Sequence, residues 1–200
     1  MYTVVYYLLM RLKDLQHHLA IPIFSGTDVF KLFPNEPRIQ INTQLNRMSL
    51  RGDLTGLKRN VYILPNAKID EFVLANKLYG PSYVSLESAL NTYGIIPDIT
   101  ANVTSVSPVT SKKISTPKGT FLYSKINKNL YFGFQNILDQ SSGLYYQIAT
   151  PEKALLDYIY IRKVRDIREN RVDLSGLNSK VLIKLSSYFP KWVREVLNHE

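Results

Sequence analysis

The clearest periodicity in the chain lies between Pro37 and Leu64, PRIQINTQLNRMSLRGDLTGLKRNVYIL. Ile41, Leu45 and Met48 recur at i, i+4 and i+7, which is the apolar stripe of a helix predicted over Ile39 to Arg51. Gln40, Asn42, Thr43, Asn46 and Arg47 fall on the opposite arc. Gly52 stops the helix. Leu54 to Lys58 and Val61 to Leu64 then alternate as two short strands, joined at Arg59-Asn60, where asparagine accepts the positive φ that a tight turn demands.

Upstream, Val5, Leu8, Leu9, Leu12, Leu15 and Leu19 carry helical spacing and predict a first helix over Met1 to Leu19. Ile21 to Phe24 reads as a short connection through Pro22. Ser25-Gly26-Thr27-Asp28 matches a capping box and opens a short helix, Thr27 to Leu32, which Pro34 ends. Asn35-Glu36-Pro37 is then the turn into the next helix.

Downstream, Pro65 to Ala67 closes the hairpin and marks a boundary, giving domains 1–67 and 68–200. Ile69 to Tyr79 predicts a connecting helix that breaks at Gly80-Pro81. Leu86, Ala89, Leu90 and Tyr93 share one face of another helix, ended by Gly94. The period then becomes strand-like, predicting strands over Val103 to Ser107, Lys113 to Thr116, Thr120 to Ile126, Tyr131 to Phe134 and Leu144 to Ile148. Thr150-Pro151-Glu152 opens a helix with Thr as N-cap, Pro at N1 and a carboxylate by the positive end of the dipole. Leu177 to Phe189 and Lys191 to Asn198 give two final helices, with Trp192 as a packing anchor. The predicted class is α+β: an N-terminal winged helix-turn-helix, then a mixed domain in which a small antiparallel sheet is packed by helices.

Composition changes the picture in two ways. A net charge of +9 with pI near 9.6 favours an anionic partner. The absence of cysteine excludes disulfides and thiolate metal sites and fits a reducing cytoplasm. No apolar run approaches a membrane span, and MYTVVYYLLM lacks the basic region and cleavage site of a signal peptide.

The polar arc of the Ile39 to Arg51 helix offers amides, a hydroxyl and a guanidinium but no carboxylate, the groups that read base edges in a major groove. Lys58 and Arg59 stand at the hairpin tip, where cations meet phosphate. The predicted DNA-contacting set is Arg38, Gln40, Asn42, Thr43, Asn46, Arg47, Arg51, Lys58 and Arg59. The competing reading is an amphipathic helix with a solvated polar face. His17-His18 points to a surface or capping role, since adjacent residues diverge on a helix and no third ligand is in view. The basic run from Arg162 to Arg171 reads as a solvated helix end. The chain has no Asp-x-Asp, so Gly26-Thr27-Asp28 does not open a nucleotidyltransferase motif. No phosphate loop, Gly-x-Ser-x-Gly or His-Glu-x-x-His is present, so no enzyme and no cofactor is expected.

Three stretches resemble the AbiEi antitoxins of type IV toxin–antitoxin and abortive-infection systems: the hairpin GLKRNVYIL, then YVSLESALNTYGIIPD running into VTSVS, then YQIATPEKALLDYIY. Asn60 departs from the pattern, where the family usually has Gly; Asn is the next-best residue for that backbone. The resemblance implies a winged helix that binds inverted repeats in double-stranded operator DNA and represses its own operon. It also implies a C-terminal domain that counteracts a nucleotidyltransferase toxin without a stable complex. The protein itself would be a monomer or weak dimer, with cooperative binding on DNA left open. Glu87, Ser88, Glu152, Lys153 and Asp157 carry the family look in that domain, and each also reads as a cap or intrahelical ion pair. Glu87, Asn91, Lys153 and Asp157 are expected on an outer polar rim, suited to transient contact. Two other classes stay open: a plain winged-helix regulator whose second domain senses a ligand or dimerises, and a nucleic-acid enzyme of another type.

Overall fold

The computed structural model describes residues 10–97, 100–168 and 171–197. Residues 1–9, which carry the first half of the predicted N-terminal helix, and His199 lie outside them. The protein is α+β and divides into two compact units: residues 1–69 with 116–118 and 140–143, and the remainder.

In the first unit the order is α1 (Leu12–His18), β1 (Ile23–Ser25), α2 (Gly26–Leu32), α3 (Arg38–Leu50), β2 (Thr55–Lys58) and β3 (Val61–Ile63). The strands form an antiparallel sheet in the order β1-β3-β2. The expected connection through Ile21 to Phe24 is therefore a strand, in register Ile23↔Ile63, Phe24↔Tyr62 and Ser25↔Val61. Three residues are too few to show alternation, and Pro22 argues against a strand; burial of Ile23 and Phe24 decides it. Ser25 ends the strand and caps α2. Its Oγ accepts from the Asp28 amide at 3.3 Å while Asp28 Oδ2 accepts from the Ser25 amide at 2.9 Å. Leu15, Phe24, Val29, Ile41, Leu45, Met48, Leu54 and Tyr62 form one core. Each large aliphatic side chain enclosed there contributes roughly 1.5–3 kcal/mol relative to exposure.

The second unit contains α4 (Glu71–Leu78), β4 (Tyr83–Val84), α5 (Leu86–Thr92), β5 (Val103–Ser107), β6 (Lys112–Thr116), β7 (Gly119–Lys125), β8 (Phe134–Asp139), β9 (Leu144–Ala149), α6 (Pro151–Arg162), α7 (Ser179–Ser186) and α8 (Lys191–Leu197). Its sheet is larger than expected and mixed rather than antiparallel. Six strands run β6-β7-β5-β4-β9-β8, with β5 parallel to β7 and β4 parallel to β9. Every residue of β5 is buried, as a strand covered on both faces requires, but Thr104, Ser105 and Ser107 disguise it in sequence. The strand predicted at Tyr131 to Phe134 is also corrected. Lys128–Leu130 is a 3-10 turn capped by Asn127, Gly133 takes φ 75°, and the strand begins at Phe134. Exposed Gln135 and Asn136 hid its continuation. α7 starts later than expected because Asn178 caps it, accepting from the amides of Lys180 and Val181.

Candidate nucleic-acid interface

The apolar stripe predicted on α3 is the buried one: Ile41, Leu45 and Met48 lie in the core. That fixes the phase of every other residue on the helix. Asn42 and Asn46 turn toward the hairpin. With Ser49 they line a groove of about 610 Å³ whose other wall is Gly56, Leu57, Lys58, Arg59, Asn60 and Tyr62. No carboxylate contributes to this lining, and Asn42, Asn46, Lys58 and Arg59 are exposed. Burial pushes the Tyr62 phenol above its ordinary value.

Asn60 joins this groove to α2. It sits at φ 63°, as the turn requires, and its Oδ1 accepts from the Gly26 amide at 3.1 Å. A Cβ at Gly26 would come within 2.2 Å of that oxygen, so the close approach needs glycine. Asn60 thus makes a bond that a glycine at this position could not. A smaller cavity of about 170 Å³ lies beside it, lined by Gly26, Thr27, Phe30, Arg38, Ile41, Asn42 and Asn60. Arg38 lies over the Phe30 ring at 4.2 Å, which holds its guanidinium on the same side as Asn42.

Of the nine predicted DNA-contacting residues, the structure thus gathers Arg38, Asn42, Asn46, Lys58 and Arg59. Thr43 and Arg47 are exposed farther round the helix, and the Thr43 hydroxyl is engaged within it, donating to the Ile39 carbonyl at 2.8 Å. Gln40 is half-buried, with Oε1 enclosed and without a partner, and nothing in the structure explains that atom. Arg51 donates to Asp53 Oδ2 from Nε and Nη2, at 3.0 and 2.8 Å, so its charge is already paired. Two apolar residues that sequence reading passed over stand fully out from α3: Ile39 is 82% and Leu50 79% exposed. Such side chains on a polar arc suit contact with thymine methyl groups. His18 behaves as a cap, its Nδ1 on the Asp14 carbonyl oxygen at 2.8 Å and its ring edge-on to Phe33.

No family model matches the chain, and no curated protein matches it in sequence.

The residues expected to carry neutralisation fare differently. Lys153 and Asp157, expected on the outer rim, are wholly buried. The Lys153 ammonium pairs with Asp157 Oδ1 and donates to the Tyr83 hydroxyl oxygen at 2.9 Å. Tyr83 and Ser85 donate to Asp157 Oδ2 at 2.8 and 3.0 Å. α6 is enclosed nearly all round, from Glu152 through Ile159, so helical phase alone assigned these two an outer face that does not exist. Burial lowers the Lys153 pKa and raises that of Asp157, each against the pull of its partner. The Tyr83 phenol is pushed well up, first by burial and then by the Asp157 charge.

Ser88 and Thr104 bind one another reciprocally: Ser88 Oγ accepts from the Thr104 amide at 2.8 Å, and Thr104 Oγ1 accepts from the Ser88 amide at 3.0 Å. Glu152 Oε1 accepts from the Asn178 amide at 3.0 Å. Asn91 donates to the Ile96 carbonyl. Glu87 is gripped by Arg162 through two bonds of 2.6 and 2.9 Å and remains partly exposed. Four of the five residues are therefore internal fastenings. Tyr83 and Ser85 were missed as members of the cluster because no short-range pattern links them to Asp157, 74 and 72 positions away.

Proposed function

We propose that the protein is a cytoplasmic DNA-binding antitoxin of the AbiEi kind, whose N-terminal unit is a winged helix-turn-helix that represses its own operon. The observation that carries the DNA reading is the carboxylate-free groove between α3 and the β2–β3 hairpin, with Asn42 and Asn46 on one wall and Lys58 and Arg59 on the other. In this reading α3 enters the major groove, its amides, Arg47 and the exposed Ile39 meet base edges, and Lys58 and Arg59 hold phosphate. The protein binds inverted repeats as a monomer or weak dimer.

The second unit counteracts a nucleotidyltransferase toxin without a lasting complex. Resemblance in residues 83–160 supports this half. The burial of Lys153 and Asp157 removes them from any contact surface, so these two act by holding the fold. A permanent interface would need on the order of 800 Å² per partner.

The test is cellular. A reporter driven by the region upstream of the gene should be repressed by the protein and released by K58A/R59A. Co-expression with the neighbouring nucleotidyltransferase should rescue growth, with no co-purification at moderate salt. Unchanged repression by the double variant removes the groove from the account, and a toxin complex that survives high salt replaces transient neutralisation by direct inhibition.

A further inference from the structure

Beyond the α3 groove, some exposed cations of the second unit pair with a carboxylate: Arg162 with Glu87, Arg168 with Asp166 and Lys191 with Glu195. Lys163 and Arg165 make a different kind of contact. Both are exposed, and among the described residues no carboxylate pairs with either. Instead they sit on aromatic rings. Tyr160 and Trp192 stack with 20° between their planes. The Lys163 ammonium lies 4.7 Å from the Tyr160 centroid and 5.0 Å from that of Trp192, and the Arg165 guanidinium carbon lies 5.0 Å from the Trp192 centroid.

The backbone adds a second observation. Lys163 ends α6 in the left-handed region, at φ 59° and ψ 35°. Helices commonly use glycine there, because a Cβ is unfavourable. A lysine kept in that conformation fixes an ammonium over the aromatic pair.

We propose that Tyr160, Lys163, Arg165 and Trp192 form a second nucleic-acid contact, one that takes a single strand. The rings are half-buried, with their cations outermost. Two cavities of this unit lie elsewhere, around Pro108 to Asn129 and around Leu174 to Leu197. An open surface of interleaved cations and aromatics suits an extended strand, whose phosphates meet the cations and whose unstacked bases meet ring faces. A duplex keeps its base faces stacked inside and cannot use the rings. The inference uses only the second unit and does not rest on the DNA reading of α3.

Trp192 is the only tryptophan in the chain, so its fluorescence reports this site alone. The full chain is titrated with a 12-nucleotide oligouridine, the matching duplex and uridine monophosphate. The oligonucleotide should quench saturably, more weakly as salt rises. K163A/R165A should lose at least tenfold in affinity and lower the slope of log K against log salt by about 1.4. Lys163→Gly relieves the backbone while removing the ammonium, so it should bind severalfold more weakly with thermal stability unchanged or higher. K58A/R59A should quench like the wild type. Absence of saturable quenching, equal quenching by duplex or by uridine monophosphate, undiminished affinity in K163A/R165A, or loss of oligouridine binding in K58A/R59A would each overturn the assignment.

Discussion

Lys153 and Asp157 form an ion pair one helical turn apart on α6 with no exposure to solvent. Burial disfavours both charges, so the pair persists only because Tyr83 and Ser85 supply the remaining hydrogen bonds. Removing one partner leaves the other charged and stranded. We predict that Lys153→Met and Asp157→Asn each cost about 3–5 kcal/mol. The double variant K153M/D157N removes both charges and keeps an acceptor for the two hydroxyls, so it should recover most of that loss. Urea unfolding of the three variants checks this; additive losses would show that the charges are not coupled.

Tyr123 sets an alkaline limit. Its hydroxyl donates to the Ala75 carbonyl at 2.7 Å inside the unit, and burial raises its pKa above the ordinary value near 10. The unfolded tyrosine releases its proton near pH 10, and the folded one keeps it to higher pH. The contribution is therefore fully present below pH 10 and fades as pH rises through the folded value. Tyr123→Phe should lose about 1 kcal/mol at pH 8 and show a shallower decline above pH 10. An unchanged alkaline slope in that variant would place the loss on other groups.

The bond from Gly26 to Asn60 ties the hairpin tip to the start of α2. Asn60→Gly keeps the turn and loses the tie, for about 0.5–1.5 kcal/mol. Gly26→Ala drives a methyl group into the Asn60 oxygen and should cost more. The pair N60G/G26A should cost less than the sum of the two. Chemical denaturation of the full chain reads these differences, and additivity would mean that the contact is not made.

Much of the first unit was legible because its signals are local. The Ser25 to Asp28 box, the Ile41/Leu45/Met48 stripe and the Arg59-Asn60 turn each lie within a few residues and reappear as α2, α3 and the hairpin. What escaped depends on distant segments. β1 is a strand only because β3 lies beside it, and β5 is buried on both faces although it reads VTSVS. The same holds for the site. Helical phase placed Asn42 and Asn46 on a polar arc, but only the hairpin's position gathers them with Lys58 and Arg59 and leaves Arg47 outside the groove. On α6, Lys153 and Asp157 look like a surface pair until the elements packed around them are in view.

The central claim is that the α3–hairpin groove binds duplex DNA, and its most direct measure is anisotropy of a labelled duplex from the region upstream of the gene, titrated beside a scrambled duplex across salt. Lys58→Ala and Arg59→Ala should weaken both duplexes alike and lower the salt slope by about one each. Asn46→Ala and Arg47→Ala should cost about 1–3 kcal/mol on the upstream duplex and little on the scrambled one. Equal losses from all four substitutions with unchanged salt slopes, or no binding to either duplex at low salt, would contradict the account.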